Sequence, residues 1–179
     1  MIYPAPAVLV SCGEHPGVSN LLTVAWTGTI CSDPAMCYIS VRPERYSYDL
    51  IRRSMEFTIN LTSTEMARAT DFCGVRSGRD LDKWEATGLT PARGHSVRCP
   101  FVDEAPLSIE CKVKKIIPLG THDMFIAEVL NVIANETFID PATGKFKLED
   151  AALMSYIHGG YYSQGERLGT FGWTVKKKK

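Results

Sequence analysis

Arg42, Arg45 and Ser47 stand close together where one kind of sequence gives way to another. The run Tyr38-Ile39-Ser40-Val41 before them has the β-branched, apolar character of a strand, and a helix pattern begins at Ser47. Two guanidinium groups and a hydroxyl at such a junction are the ingredients of an anion site. A helix N-terminus offers unpaired N–H groups and partial positive charge, which is the preferred surrounding of a phosphate. Arg45 can add a forked pair of donors, and the Ser47 hydroxyl can complete the shell around the oxyanion. The same residues also allow a plainer arrangement, with Ser47 capping the helix and the arginines facing water.

Other chemistries lack their residues. The chain has no G-x-G-x-x-G, G-x-x-x-x-G-K-[ST], H-E-x-x-H or G-x-S-x-G motif. Its histidines, at 15, 95, 122 and 158, are scattered and offer no paired metal ligands. The cysteines at 12, 31, 37, 73, 99 and 111 form no C-x-x-C pair, and several sit in apolar runs, so they are expected to be buried thiols rather than ligands or disulfides. Polar loops around β-rich walls suit a preformed ligand site better than a nucleophile.

Composition narrows the class further. The 179 residues suffice for one domain with a sizeable core, expected to span 1–179, and 45% hydrophobic with 22% charged residues is ordinary for a globular protein. Twenty basic residues balance twenty acidic ones, so no global field attracts nucleic acid or an anionic membrane. The basic run Lys176–Lys179 is expected to be a solvated tail. No apolar stretch is long enough to span a bilayer, and the N-terminus lacks the basic start of a signal peptide, so a cytoplasmic protein is expected.

The elements that must position the arginines are mostly strands. Ala7–Cys12, Leu21–Ile30, Met36–Val41 and the alternating Glu56–Leu61 precede two long runs, Leu107–Ile117 and Met124–Ile133, joined by a Pro-Leu-Gly-Thr-His-Asp connection. Ser47–Ser54 and Ser63–Phe72 read as helices, each opened by a capping residue. Gly74–Gly94 and the tail His158–Trp173 read as irregular loops that shape a site, because charged or aromatic anchors stud both. Many strands, few helices and no β-α-β alternation predict a mainly β fold, an antiparallel barrel with appended helices.

An ordered set of motifs along nearly the whole chain resembles the flavin reductase-like family of FMN-binding split β-barrels, which includes flavoredoxins and small flavin reductases. These are N-x-x-T-x-A-W-T-G (Asn20–Gly28) with Asp33-Pro34, S-V-R-x-x-R-Y-S-Y (Ser40–Tyr48) and E-F-x-I-N-L (Glu56–Leu61). They continue with S-G-R-D-x-D-K (Ser77–Lys83), G-L-T-P (Gly88–Pro91), E-C-K-V (Glu110–Val113), Gly120–Val129 and the terminal Tyr161–Gly172.

The resemblance implies that FMN is the cofactor and its phosphate the anion at Arg45-Tyr46-Ser47, with Lys83 as a further contact. It implies an isoalloxazine ring along Thr23, Val24, Ala25, Trp26 and Thr27, and a ribityl chain near Ser40, Val41 and Arg42. Cys73-Gly74 and Ser77-Gly78 are expected to approach the flavin through their backbone, and His158 and Tyr161, with Tyr162, to cover it. Plainer alternatives stay open: Lys83 as a surface lysine paired with Asp80 or Asp82, Trp26 as a barrel-wall or dimer residue, and the terminal aromatics as interface packing. The implied activity is NAD(P)H-dependent reduction of flavin, FMN carrying the chemistry and the protein binding and tuning it. A flavoredoxin-type carrier fed by a redox protein partner, or a non-catalytic flavin-binding protein, fits the same residues. A homodimer is also implied.

Overall fold

The computed structural model describes residues 2–175, and the Lys176–Lys179 run lies outside the described residues. The apolar and alternating runs fold as strands. In chain order they are β1 (Ala5–Pro6), β2 (Val8–Gly13), β3 (Ser19–Val24), β4 (Thr27–Ser32) and β5 (Ala35–Val41), then helix α1 (Tyr46–Ser54) and β6 (Glu56–Leu61). A single 3-10 turn, Thr64–Met66, leads into α2 (Ala67–Val75), followed by the short α3 (Lys83–Thr87), β7 (Pro91–Ala92) and β8 (Phe101–Val102). The long hairpin β9 (Leu107–Pro118) and β10 (Asp123–Ala134) comes next, and β11 (Met154–Ile157) and β12 (Gly160–Ser163) follow it.

Seven strands form one antiparallel sheet in the order β3-β2-β6-β9-β10-β5-β4. Its two edge strands, β3 and β4, are joined by Ala25 and Trp26 alone. A two-residue link cannot bridge the width of an open seven-stranded sheet, because neighbouring strands stand about 4.8 Å apart. The sheet must therefore curl until its edges meet, giving a barrel with a seam between β3 and β4. The backbone N–H of Ser40 on β5 donates to the Trp26 carbonyl at 2.9 Å and fixes the turn at the end of that seam.

The barrel interior holds Val8, Val10, Leu22, Val24, Ile39, Val41, Phe57, Ile59 and Phe125, closed at one end by Tyr48 and Ile51 of α1. β2 is buried along both faces. Its other face sends Leu9 into a second cluster, beneath α2 and α3, with Leu21, Met66, Cys73, Trp84, Leu89 and Val102. This double burial is why Ala7–Cys12 reads as a continuous apolar run rather than an alternating one. Of the six cysteines, Cys12, Cys37, Cys73, Cys99 and Cys111 are buried, Cys31 is half-buried, and all are free thiols.

Buried polar residues tie the irregular segments to the barrel. Asn60 on β6 donates to the Leu9 carbonyl at 2.9 Å and accepts from the Val102 N–H at 2.9 Å and the Ser108 hydroxyl at 2.8 Å. Glu110, fully buried on β9, accepts from the His95 and Ser96 N–H groups at 2.6 and 2.8 Å and from the Asn131 amide at 3.1 Å. Three partners around one Asn, and three donors on one carboxylate, satisfy groups that would otherwise be costly to bury.

Some elements differ from the sequence reading. Leu21–Ile30 is two strands, because the chain must turn at Ala25-Trp26 to pass from one sheet edge to the other. Ser47 does not cap α1: Arg45 occupies the N-cap position, and no side chain caps the helix. The second helix begins as a 3-10 turn, and no side chain caps it at Ser63. The Gly74–Gly94 segment contains α3, capped by the Asp82 carboxylate on the Trp84 and Glu85 N–H groups. In the tail, Gly160–Ser163 is a strand paired with β11.

Candidate functional site

Two adjoining cavities lie beside the α1 N-terminus and the barrel seam. The first, about 430 Å³, is walled by Asn20, Leu22, Arg42, Glu44, Arg45, Tyr46, Ser47, the Arg76–Arg79 turn and Lys83. The second, about 410 Å³, runs along Leu22–Trp26 and Ser40–Arg42, and is flanked by Arg45, Asp71, Gly74, Val75, His122, Tyr156, Gly159 and Tyr161, with Tyr3 and Ala7. Leu22, Arg42 and Arg45 line both, so the two form one elongated cleft with different ends.

The first end is built for an anion. Four arginines and one lysine face a single carboxylate, Glu44, whose Oε2 lies 3.7 Å from Arg42 Nε. α1 presents its first-turn N–H groups here without a side-chain cap, so their partial charge stays available. Lys83 is 3% exposed, and its ammonium donates to the Leu21 and Cys73 carbonyls at 2.8 Å each. An ammonium has three donors, so one remains for the cavity that Lys83 lines. Burial lowers its pKa, opposed by the nearby Cys73 and reinforced by Arg45. An anion in the cavity would offset that cost of burying charge.

Ser47 lies under the same cavity with its hydroxyl accepting from the Asn20 amide at 2.8 Å. Gly78 seals this wall. A Cβ there would collide with the Asn20 Oδ1 and come within 2.7 Å of Asn20 Cγ and 2.8 Å of Tyr46 Cδ1, so no side chain fits between loop and helix. Arg45 Nη1 donates to the Gly74 carbonyl at 3.1 Å, bridging the α1 N-terminus to the end of α2.

The second end is flatter and aromatic. Trp26 is 43% exposed and packs on His122 with ring centroids 4.5 Å apart. Burial and the Arg42 guanidinium lower the His122 pKa. Burial, with the Asp71 carboxylate adding to it, pushes the Tyr161 phenol up to about 12. The Thr23 hydroxyl donates to the Thr70 carbonyl and holds α2 against β3.

Most of the residues expected from sequence are brought to this cleft. Thr23, Val24, Ala25, Trp26, Ser40, Val41, Gly74 and Tyr161 line the second cavity, Tyr46, Ser47, Ser77, Gly78 and Lys83 the first, and Arg42 and Arg45 both. Lys83 is not a surface lysine paired with Asp80 or Asp82, because its amine turns inward to two carbonyls.

Three expected residues stand off the walls. The Thr27 hydroxyl is spent within the sheet on the Tyr38 carbonyl at 2.6 Å. Cys73 is fully buried, contributing its carbonyl to Lys83 while burial pushes its thiol up to about 11. His158 packs on Tyr3 at a centroid distance of 4.8 Å, and its neighbour Gly159 lines the cavity instead.

Sequence reasoning passed over Asn20, Arg76 and Arg79 at the anion end and His122, Asp71 and Tyr156 at the other. Asn20, Arg79 and His122 sit inside quoted motifs, so their spacing was visible; Asp71, Arg76 and Tyr156 carry no local signal. Among the described residues no group of three or more His, Cys, Asp or Glu side chains could hold a metal ion. Among the described residues no helix is long and apolar enough to cross a membrane.

Known proteins share this architecture. The family model of the flavin reductase like domain matches residues 1–164. Flavoredoxin of Desulfovibrio vulgaris (Miyazaki F) is similar over 98% of this chain and 95% of that chain, with a TM-score of 0.89 and 31% identity. Flavoredoxin from Methanosarcina acetivorans shares the fold at a TM-score of 0.87 and 23% identity, again over 98% of this chain and 95% of that one. A protein of Archaeoglobus fulgidus is 28% identical over 140 residues, 78% of this chain and 77% of its own length. With a split barrel, a matching family model over most of its length and a cleft at the barrel seam, the chain belongs to the flavin reductase-like domain family.

Proposed function

We propose that this protein binds FMN in the cleft and works as an NAD(P)H-dependent flavin oxidoreductase. The observation that carries the reading is one cleft with a cation-lined end and an aromatic end, joined through Leu22, Arg42 and Arg45. The residues fit a flavin mononucleotide. Arg45, Lys83 and the N–H groups at Tyr46 and Ser47 supply donors for a phosphate, and Gly78 leaves space for the wall to close on it. Ser40, Val41 and Arg42 would flank the ribityl chain, and the backbone from Thr23 to Trp26 would flank the ring.

Bound FMN would supply two-electron redox chemistry, accepting hydride from a reduced nicotinamide. Everything else falls to the chain. N–H groups on the unpaired sides of the edge strands β3 and β4 would favour the extra negative charge of a reduced flavin. His122 stays a neutral donor or acceptor beside Trp26, since burial and Arg42 both resist its protonation. The Cys12 and Cys73 thiols near the site are pushed up to about 12 and about 11 by burial, so neither is a thiolate nucleophile.

A second reading, an electron carrier fed by a protein partner, is favoured by the likeness to the Desulfovibrio vulgaris flavoredoxin at 31% identity. Exposed Trp26, Tyr162 and Trp173 support a homodimer, which light scattering tests. One spectrum separates the activities. Purified protein is mixed anaerobically with NADH and then dithionite; bleaching by NADH supports the reductase, and bleaching by dithionite alone supports the carrier. A protein that takes up no FMN refutes both.

A further inference from the structure

The last described residues hold a shape without being buried. Leu168 is 93% exposed and Phe171 entirely so, and Trp173 and Val175 lie mostly in water. Arg167 Nε nevertheless donates to the Gly169 carbonyl at 3.4 Å, and the Trp173 N–H to the Thr170 carbonyl at 2.9 Å. The Trp173 ring packs so tightly on Gly169 that a Cβ there would come within 2.8 Å of it. A preformed knot with its apolar side chains turned outward is unfavourable in water unless a second surface covers it. The L-G-x-F-G motif that supplies Leu168 and Phe171 plays no part in the flavin cleft, whose walls include nothing beyond Tyr161 among the described residues.

A matching surface lies at the foot of this tail. A groove of about 980 Å³ is walled by Pro4, Pro6, Leu148, Leu153 and Met154, with Ser163–Gly165 as its near bank. It shares no lining residue with the cleft, although β1, β11 and β12 contribute to both. To fill its own groove, the tail would have to reverse at Leu168 and give up the Arg167–Gly169 hydrogen bond and the Trp173–Gly169 packing. A tail from a second copy enters as it stands.

Charge agrees with that occupant. Glu149 on the groove wall and its neighbour Asp150 are exposed, and neither is in an ion pair among the described residues. The sequence continues from Val175 into four lysines. The area is also sufficient. Phe and Trp bring about 150–250 Å² each. With Leu168, Val175 and the facing groove walls, two reciprocal contacts remove on the order of 1,600 Å², the size of a standard specific interface.

We propose that the segment Leu168–Val175 is an exchanged strap, which seats Leu168, Phe171 and Trp173 in the Pro4–Pro6, Leu148–Met154 groove of a second copy of this chain. Two-fold symmetry makes the exchange mutual. The strap goes beyond the homodimer itself, since it fixes which segment holds the copies together and where.

Photo-crosslinking tests it. Phe171 is replaced by benzoylphenylalanine, unlabelled and isotope-labelled proteins are mixed and irradiated, and the linked peptides are read by mass spectrometry. The expected product joins the tail of one isotope to the Leu148–Met154 peptide of the other. The double variant Leu168→Asp, Phe171→Asp, at positions exposed in the single chain, raises the dimer dissociation constant in sedimentation by at least about tenfold, as loss of a central aromatic anchor does. Raised salt weakens the wild-type dimer in the same assay, through the lysines facing Glu149 and Asp150. Crosslinks confined to one chain, crosslinks that miss the groove, or an unchanged dimer constant in the double variant overturn the strap.

Discussion

Replacing Lys83 with Met tests the anion end most directly, since Met keeps the length and apolar stem and removes only the charged head. In the folded protein that head donates to the Leu21 and Cys73 carbonyls and directs its remaining N–H to the cavity. Two buried carbonyls lose a partner at about 1 kcal/mol each, and the relief of burying a charge offsets part of that. The net loss of stability is therefore about 1–2 kcal/mol, read from urea unfolding of the ligand-free protein. For FMN, losing a hydrogen bond to a charged partner costs about 1.5–3 kcal/mol, or roughly ten- to a hundredfold in Kd. Riboflavin, which lacks the phosphate, is the control: its affinity should move by less than about threefold. Titration by fluorescence quenching measures both. An unchanged FMN affinity, or equal weakening of FMN and riboflavin, would refute the assignment of Lys83 to the phosphate.

The remaining predictions concern the same site and its supports. The double substitution Arg45→Ala, Ser47→Ala should weaken FMN by more than about tenfold while sparing riboflavin, because it removes a charge-assisted donor and loosens Asn20; isothermal titration checks this. Because burial lowers the Lys83 pKa, FMN affinity should fall as pH rises through a range below that of an ordinary lysine. Over the same range the unfolded chain binds the extra proton, so stability of the flavin-free protein should rise with pH; these opposite slopes in a titration from pH 7 upward mark Lys83. Gly78→Ala should displace the loop from Asn20 and Tyr46, costing about 1–3 kcal/mol and FMN affinity together, as thermal unfolding with and without FMN would report. Glu110→Ala strands the His95 and Ser96 N–H groups and should cost about 2–5 kcal/mol in denaturant unfolding, at about 1–3 kcal/mol for each stranded donor.

The strands were readable from their sequence periodicity, although the alternating Glu56–Leu61 is buried on both faces, its polar side chains included. Glu56–Leu61 has the bounds that its alternation marks out, and the β9–β10 hairpin extends only a residue or so beyond its apolar runs. Leu21–Ile30 concealed a turn because the need to turn is topological: Ala25 and Trp26 have no turn chemistry, and only the strand order forces the break. Ser47 looked like a cap from its position before an apolar pattern. Long-range pairing with Asn20 makes it a buried acceptor, which no local window contains. Lys83 was ambiguous for the same reason. Asp80 and Asp82 are its neighbours in sequence, yet Asp82 caps α3 and the amine reaches a β3 carbonyl far away in the chain. Arg76 gave no signal, since an arginine in a charged loop is ordinary until the loop is folded against α1.

The seam between β3 and β4 has a dynamic consequence. Each of these strands has a ladder partner on one side only, so every other amide along them points away from the hydrogen-bonded sheet. Widening the gap breaks no ladder bond, and local opening there requires far less free energy than unfolding of β6 or β9 at the centre. Amide hydrogens near Thr23 and Val24 should therefore exchange with deuterium long before those of the central strands. A bound flavin would close that fast channel while leaving slow exchange elsewhere untouched. The barrel thus reports its own occupancy at its margin, and deuterium uptake resolved by peptide would show the cleft filling without any optical signal from the cofactor.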